Sequence, residues 1–300
     1  MPGRPGGRAV GLPILFGLFG PKDDRHPERP SQPELGRLLI DMAIKRFPDR
    51  VIGLVMDGAY ASKAWRGLPK RVTVTTRMRA NAAVFELAPP RTGRRGRPAL
   101  KGARMASLAQ LAEAAAFAPV TITGPDRRRR VAHVWRTTCL WYGPLHTRPV
   151  VIMLIRRPDR SEGFDVALAS TDTDAQSAEL IARYDSRWSI ETAHQQAKAH
   201  GVGQARNRVQ RAVQRTVPFG FLCQTITVAW YALHGDPGAD LHARRRAAPW
   251  YRQKATISYT DMLAALRREL IRHEYHAQAP ATTTNPQITP APTPTALAAA

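Results

Sequence analysis

Val51-Ile52-Gly53-Leu54-Val55-Met56-Asp57-Gly58-Ala59-Tyr60 is the stretch on which the reading of the fold turns. Six residues without a polar side chain, bounded by an Asp-Gly turn signal, read as a buried strand. Just upstream, Leu35, Leu38, Leu39, Met42 and Ala43 recur at helical spacing within residues 34–47, and Pro48 ends the run. A helix followed by a buried strand is the grammar of an α/β sheet covered by helices. Asp57 then falls at the carboxyl end of that strand, where open α/β sheets hold their ligands. A plain Asp-Gly turn and a site carboxylate are at this point equally good readings.

Working outward, residues 9–19 (A-V-G-L-P-I-L-F-G-L-F) read as a further buried strand, with Pro13 marking an edge or bulge. Residues 71–79 alternate, with Val72, Val74, Thr76 and Met78 on one face, and end in Arg77 and Arg79. Residues 89–102 form a basic loop, P-P-R-T-G-R-R-G-R-P-A-L-K-G. Its centre, Arg95-Gly96-Arg97-Pro98, matches the core of AT-hook motifs, in which an extended Arg-Gly-Arg lies in a narrow, electronegative minor groove. A basic surface loop is the alternative for so short a match. Ser107 caps an Ala-rich helix to about residue 117. Strands are expected at 120–123, 131–137, 150–155 and 164–170, with a basic turn at 127–130. They compose a mostly antiparallel block inserted into, or extending, the first sheet.

The second informative stretch is Tyr184-Asp-Ser-Arg187-Trp188-Ser-Ile-Glu191-Thr-Ala-His-Gln-Gln-Ala-Lys198. Residues 171–174 supply N-cap residues, and 175–200 read as one or two helices closed by Gly201. On a continuous helix Arg187, Glu191 and Lys198 fall at about 300°, 340° and 320° from Tyr184, one narrow polar stripe. A solvated Arg-Glu pair explains such a stripe as well as a site does. Beyond it come Arg206, Arg208, Arg211 and Arg215, a buried helix at 219–233, and a loop at 235–250 carrying Arg244-Arg245-Arg246. A last amphipathic helix from Thr260-Asp261 runs through Met262, Leu263, Leu266 and Leu270. From 277 on, a Pro/Thr-rich tail is expected to be disordered.

Forty-five Lys and Arg against 23 Asp and Glu leave a net charge of +22 over 300 residues. Arg-rich excess of this size points to a polyanionic partner. Cys139 and Cys223 stand far apart in apolar surroundings and form neither a metal spacing nor a disulfide framework, which fits a reducing cytoplasm. The N-terminus has no signal-peptide pattern, and the apolar run at 217–233 is broken by Gln224, Thr225 and Thr227. A cytoplasmic location is expected.

The spacing Tyr184-x2-Arg187-x3-Glu191-x6-Lys198, together with R-W-S-I-E at 187–191, D-G-A-Y-A-S at 57–62 and G-R-R-G-R-P at 93–98, resembles the DDE transposases of bacterial insertion sequences. The resemblance implies an α/β, ribonuclease-H-like catalytic core with a β-rich insertion between the second and third acidic residues. Its parts would be 1–71 (first part of the core), 72–170 (insertion with the basic loop), 171–276 (helical remainder) and 277–300 (tail). It implies that Asp57 and Glu191 are the second and third acids and ligands of Mg²⁺. Tyr184, Arg187 and Lys198 would hold DNA phosphates, with Arg95 and Arg97 as further DNA contacts. DNA, as transposon ends and target, is the implied partner, and a homodimer is compatible. Trp188 reads more readily as a core residue than as a base-stacking one. The first acid has no counterpart: Asp23 and Asp24 lie in a Pro-rich loop, and Asp41 and Asp49 on or just after the helix before the Asp57 strand. The expectation is therefore a transposase truncated at its N-terminus and catalytically incomplete. The alternative is a non-catalytic DNA-binding remnant that occupies transposon ends.

Overall fold

The computed structural model describes residues 10–20, 22–24, 26–90, 97–124, 128–204 and 209–278. The chain divides into two units, residues 15–188 and residues 189–300 together with the first fourteen.

In the unit 15–188, helix α1 (Gln32–Arg46) starts where the Glu34 carboxylate accepts hydrogen bonds from the Ser31 N–H and hydroxyl, a capping box that satisfies otherwise orphaned groups. The strands are β1 (Ile52–Met56), β2 (Val72–Arg77), β3 (Ala118–Thr123), β4 (Arg129–Leu140), β5 (Pro149–Arg156) and β6 (Val166–Ser170). Three helices intervene or follow: α2 (Leu108–Glu113), α3 (Tyr142–Leu145) and α4 (Ser177–Asp185). One six-stranded sheet runs β1-β2-β6-β5-β4-β3. Among the described residues only β1 and β2 pair in parallel, from Ile52↔Val72 to Met56↔Thr76, and the other four pairings of the sheet are antiparallel.

The core follows from period-two alternation on β5, a central strand buried on both faces. Val150, Ile152 and Leu154 pack into a cluster with Trp65, Val72, Val74 and Leu108, onto which Ile40 and Ile44 of α1 close. Val151 and Met153 face the other way, against Leu180 and Ile181 of α4. Each such side chain contributes about 1.5–3 kcal/mol by leaving water. Cys139 belongs to the first cluster, and burial pushes its thiol up to about 12, which makes it an inert core residue. Met153→Ala, a truncation at a fully buried site, is expected to cost about 2–5 kcal/mol of unfolding free energy in a denaturant titration.

In the unit 189–300, α5 (Trp188–Ala197) is followed by α6 (Gln210–His234), α7 (Pro237–Ala247) and α8 (Tyr259–Gln278). One face of α6 is buried through Phe221, Gln224, Thr227, Val228 and Tyr231. Gln224 donates to the Gln196 side chain and the Thr227 hydroxyl to the Cys223 carbonyl. The span Arg211–His234 is long and apolar enough to cross a membrane by length and composition alone. On its inner face the buried Thr227 hydroxyl and Gln224 side-chain nitrogen are hydrogen-bonded, as polar groups of a protein interior are, whereas the Gln224 side-chain oxygen is buried without a partner among the described residues.

Several sequence expectations are corrected. Residues 10–19 form no strand: Val10, Leu12, Ile14, Leu15, Phe16, Leu18 and Phe19 are exposed, and Pro13 offers its carbonyl to the Thr225 hydroxyl rather than to a ladder. Apolar composition marked the stretch, but composition does not supply a pairing partner. Strand β1 is less buried than its apolar run suggests, because among the described residues it pairs on one side only. The helix at 219–233 is buried on one face, with Phe219, Leu222, Ile226 and Leu233 exposed. Residues 171–174 do not cap α4, whose N-cap is Gln176; Asp172 instead accepts from Arg183, and the Thr171 hydroxyl accepts the Val74 N–H. The loop expected at 235–250 contains α7, because Asp236 accepts from the Gly238 and Ala239 N–H groups and Pro237 occupies the first turn. The basic turn at 127–130 and the tail lie partly or largely outside the described residues.

At the start of α8, Asp261 is buried and accepts from the Lys254 ammonium and from both the N–H and hydroxyl of Ser258. Burial alone would raise its carboxyl pKa, but these donors outweigh burial and hold it below the ordinary value. A depressed carboxyl contributes stability above about pH 4, its unfolded pKa, and loses it as pH falls below that. Asp261→Asn is expected to cost about 3 kcal/mol at pH 7, and to flatten the acid limb of a stability-versus-pH curve followed by circular dichroism.

Candidate functional site

The parallel register fixes the site. Because Met56 pairs with Thr76, Asp57 and Arg77 follow at the same carboxyl end of adjacent strands. Asp57 caps the short 3-10 turn Gly58–Tyr60, its Oδ1 accepting the Ala59 N–H at 3.1 Å. Gly58 is buried here: a Cβ at this position would stand 2.8 Å from the Arg77 carbonyl oxygen. Glycine is what allows the turn to lie against the end of β2. The D-G-A-Y-A-S segment is then anchored from below. The indole N–H of buried Trp65 donates to the Tyr60 carbonyl at 2.7 Å, and Arg37, held by Asp41, donates to the carbonyls of Ala64 and Arg66.

The far side of the site comes from the end of α4. That helix stops at Asp185, the Ser186 hydroxyl bonds back to the Arg183 carbonyl, and Arg187 occupies the two-residue turn before α5. An Arg187 guanidinium nitrogen lies 3.8 Å from Asp57 Oδ2. The guanidinium also sits 5.8 Å from the centre of the Tyr184 ring. Burial raises the Tyr184 phenol above its ordinary pKa; Asp57 pushes it the same way, while Arg187 and Arg77 oppose them. Tyr184 is therefore a neutral hydrogen-bonding group at physiological pH. Asp57, Arg77, Tyr184 and Arg187 form one electrostatic cluster, with two guanidiniums against one carboxylate.

The continuous polar stripe expected at 184–198 is broken. The turn at 186–187 separates α4 from α5, and Lys198 opens a 3-10 turn, Lys198–His200, closed by Gly201 in the left-handed region (φ 77°). Tyr184 and Arg187 join Asp57 in the unit 15–188, whereas Glu191 and Lys198 are exposed residues of the unit 189–300. Trp188 is not a core residue, being 54% exposed. Arg97 is exposed in irregular chain, and Arg95 lies outside the described residues. Sequence reading noted Arg77 only as the basic end of a strand. The available signal was the second short strand following an Asp-ended one, which in a parallel pair aligns the two ends.

Mg²⁺ takes near-octahedral oxygen coordination, and the only carboxylate of this cluster already accepts an N–H and faces Arg187. Among the described residues there is no group of three His, Cys, Asp or Glu side chains that would hold a metal ion. The described residues of the unit 15–188 do not by themselves fit the metal. What the cluster can do is hold a phosphodiester: two guanidiniums for the anionic oxygens and a phenol as a further donor.

Residues 20–147 match the family model described as DDE superfamily endonuclease, and over that stretch the chain is DDE-transposase-like. DDE superfamily endonucleases typically use divalent metals. The matched stretch contains Asp57 and Arg77. No curated protein matches the chain.

The close approach at Gly58 gives a direct test. Gly58→Ala is expected to cost about 1–3 kcal/mol of stability through overpacking. It should also tighten DNA binding per folded molecule, because the turn carrying Asp57, whose carboxylate repels phosphate, must move off Arg77. Paired chemical denaturation and DNA titration check both effects.

Proposed function

We propose, from the DDE-transposase-like character of residues 20–147, that this protein binds DNA phosphates at Arg77, Tyr184 and Arg187, beside Asp57, as a transposase does at an insertion-sequence end. The supporting observation is the ion pair between Arg187 and Asp57 at the carboxyl end of the parallel strand pair. It joins Tyr184-x2-Arg187, the first half of the Tyr-x2-Arg-x3-Glu-x6-Lys signature, to the Asp-Gly-Ala-Tyr motif. In this reading the core is ribonuclease-H-like, and the strands after β2 correspond to a β-rich insertion that extends the same sheet. Asp57 and Glu191 are the second and third acids, Lys198 is a further phosphate contact, and Arg95 and Arg97 meet DNA from the basic loop.

The chain's own residues account for binding and orientation. Arg187 and Arg77 neutralise a phosphate while Asp57 prevents its oxygens from occupying the whole cluster, and neutral Tyr184 donates without adding charge. In-line phosphodiester cleavage with two metals needs carboxylates that bridge and flank the ions. Asp57 and Glu191 are the two carboxylates of this reading, and among the described residues no group of three acidic or His/Cys side chains forms around Asp57. As this polypeptide the protein is a DNA-binding, catalytically incomplete transposase.

The test combines binding and cleavage on DNA carrying insertion-sequence ends. Binding should weaken steeply with salt, and Arg187→Ala should lower the affinity and reduce the slope of log K against log salt by about 1. Mg²⁺ should produce no nicking. Nicking that disappears in Glu191→Gln would establish a complete active site, and salt-insensitive binding would remove the phosphate-binding role.

A further inference from the structure

A second feature lies in the unit 189–300, at the C-terminal end of α7. Residues 241–260 contain Arg244, Arg245, Arg246, Arg252 and Lys254 and no Asp or Glu. The last turn of α7 carries the three consecutive arginines, and Pro249–Tyr251 then form a 3-10 turn over buried Ala248. Three of the five cations hold this turn in place. Arg244 and Lys254 lie 5.1 and 5.2 Å from the centre of the Tyr251 ring, and both also pair with buried Asp261. Arg245 donates twice to the Lys254 carbonyl.

The remaining members, Arg246, Trp250 and Arg252, are exposed. Trp250, at 79%, is the most exposed of the large apolar side chains described. The indole stands in water on a fixed turn, its centre 6.3 Å from that of the Tyr251 ring, with an arginine four residues before it and another two after it. It combines the two components of single-strand recognition: an aromatic face for a base and cations for the backbone.

We propose that Trp250, flanked by Arg246 and Arg252, is a stacking platform for an unpaired nucleobase of single-stranded DNA. The proposal rests on the preceding reading only in taking DNA as the ligand. It adds a site for unpaired strand that the Asp57 cluster does not provide.

The full chain is titrated with a fluorescent oligo-dT single strand and with a blunt duplex of the same length. Trp250→Ala should weaken single-strand binding by about 5- to 150-fold, the range for losing one base–aromatic stack, and leave duplex binding unchanged. Trp250→Phe should retain most of the affinity. Arg246→Ala and Arg252→Ala should each reduce the single-strand salt slope by about 1. Oligo-dT should quench tryptophan fluorescence in the unaltered protein and not in Trp250→Phe, a readout independent of how well the Ala variant folds. Equal single-strand affinity in Trp250→Ala, or equal losses on both probes, overturns the proposal. Duplex binding without single-strand binding overturns it while sparing the Asp57 reading. Single-strand binding that needs Trp250, without salt-sensitive duplex binding, spares the proposal and removes the other. Loss of binding to phosphatidylserine vesicles in Trp250→Ala, with single-strand binding intact, would assign the indole to a lipid surface instead.

Discussion

The parallel pairing of β1 with β2 is the constraint on which the site depends. Antiparallel neighbours would carry the ends of the two strands to opposite edges of the sheet. Parallel pairing from Ile52↔Val72 to Met56↔Thr76 brings Asp57 and Arg77 out side by side. Gly58 makes the arrangement close, since any side chain there would meet the Arg77 carbonyl. The buried clusters on the two faces of β5 hold the sheet, and Trp65 and Arg37 hold the loop that follows Asp57. Packing thus fixes the backbone of the site while its charged tips remain accessible.

The electrostatics follow from that geometry. Asp57 is about half exposed, and Arg187 faces it at 3.8 Å with about a quarter of its side chain exposed. At such accessibility the pair contributes little to stability, on the order of 1 kcal/mol or less. Its significance lies in competition: an anion entering the cluster meets an Arg187 guanidinium that already faces a carboxylate. On the proposed reading, such a cluster exchanges one anion for another, as a site that binds and releases a polyanion would.

The sequence revealed the parts whose signals are local. The helix stopped by Pro48, the strand before Asp57, the alternation of residues 72–78 and the antiparallel run through β3 to β6 were all legible from periodicity. Tertiary circumstances were not legible. The apolar residues 10–19 look like a strand until a pairing partner is sought. The Tyr184–Lys198 stripe assumed one uninterrupted helix, yet Ser186 and Arg187 form a turn that no proline or glycine announces. Arg77 was missed as a site member because a strand's terminal arginine acquires meaning only from its neighbour's register. The helix α7 hid inside a Gly-Asp-Pro-Gly segment whose turn signal was in fact a cap.

If Asp57 faces Arg187 as a competing anion within a phosphate-binding cluster, neutralising it has an unusual consequence. The decisive measurement is the affinity of Asp57→Asn for duplex DNA in chelator, without divalent metal, compared with the unaltered protein. Tighter binding with a steeper salt dependence is predicted, because the carboxylate that repels phosphate beside Arg187 and Arg77 is neutralised. Weaker binding, at equal thermal stability, would contradict the cluster as described.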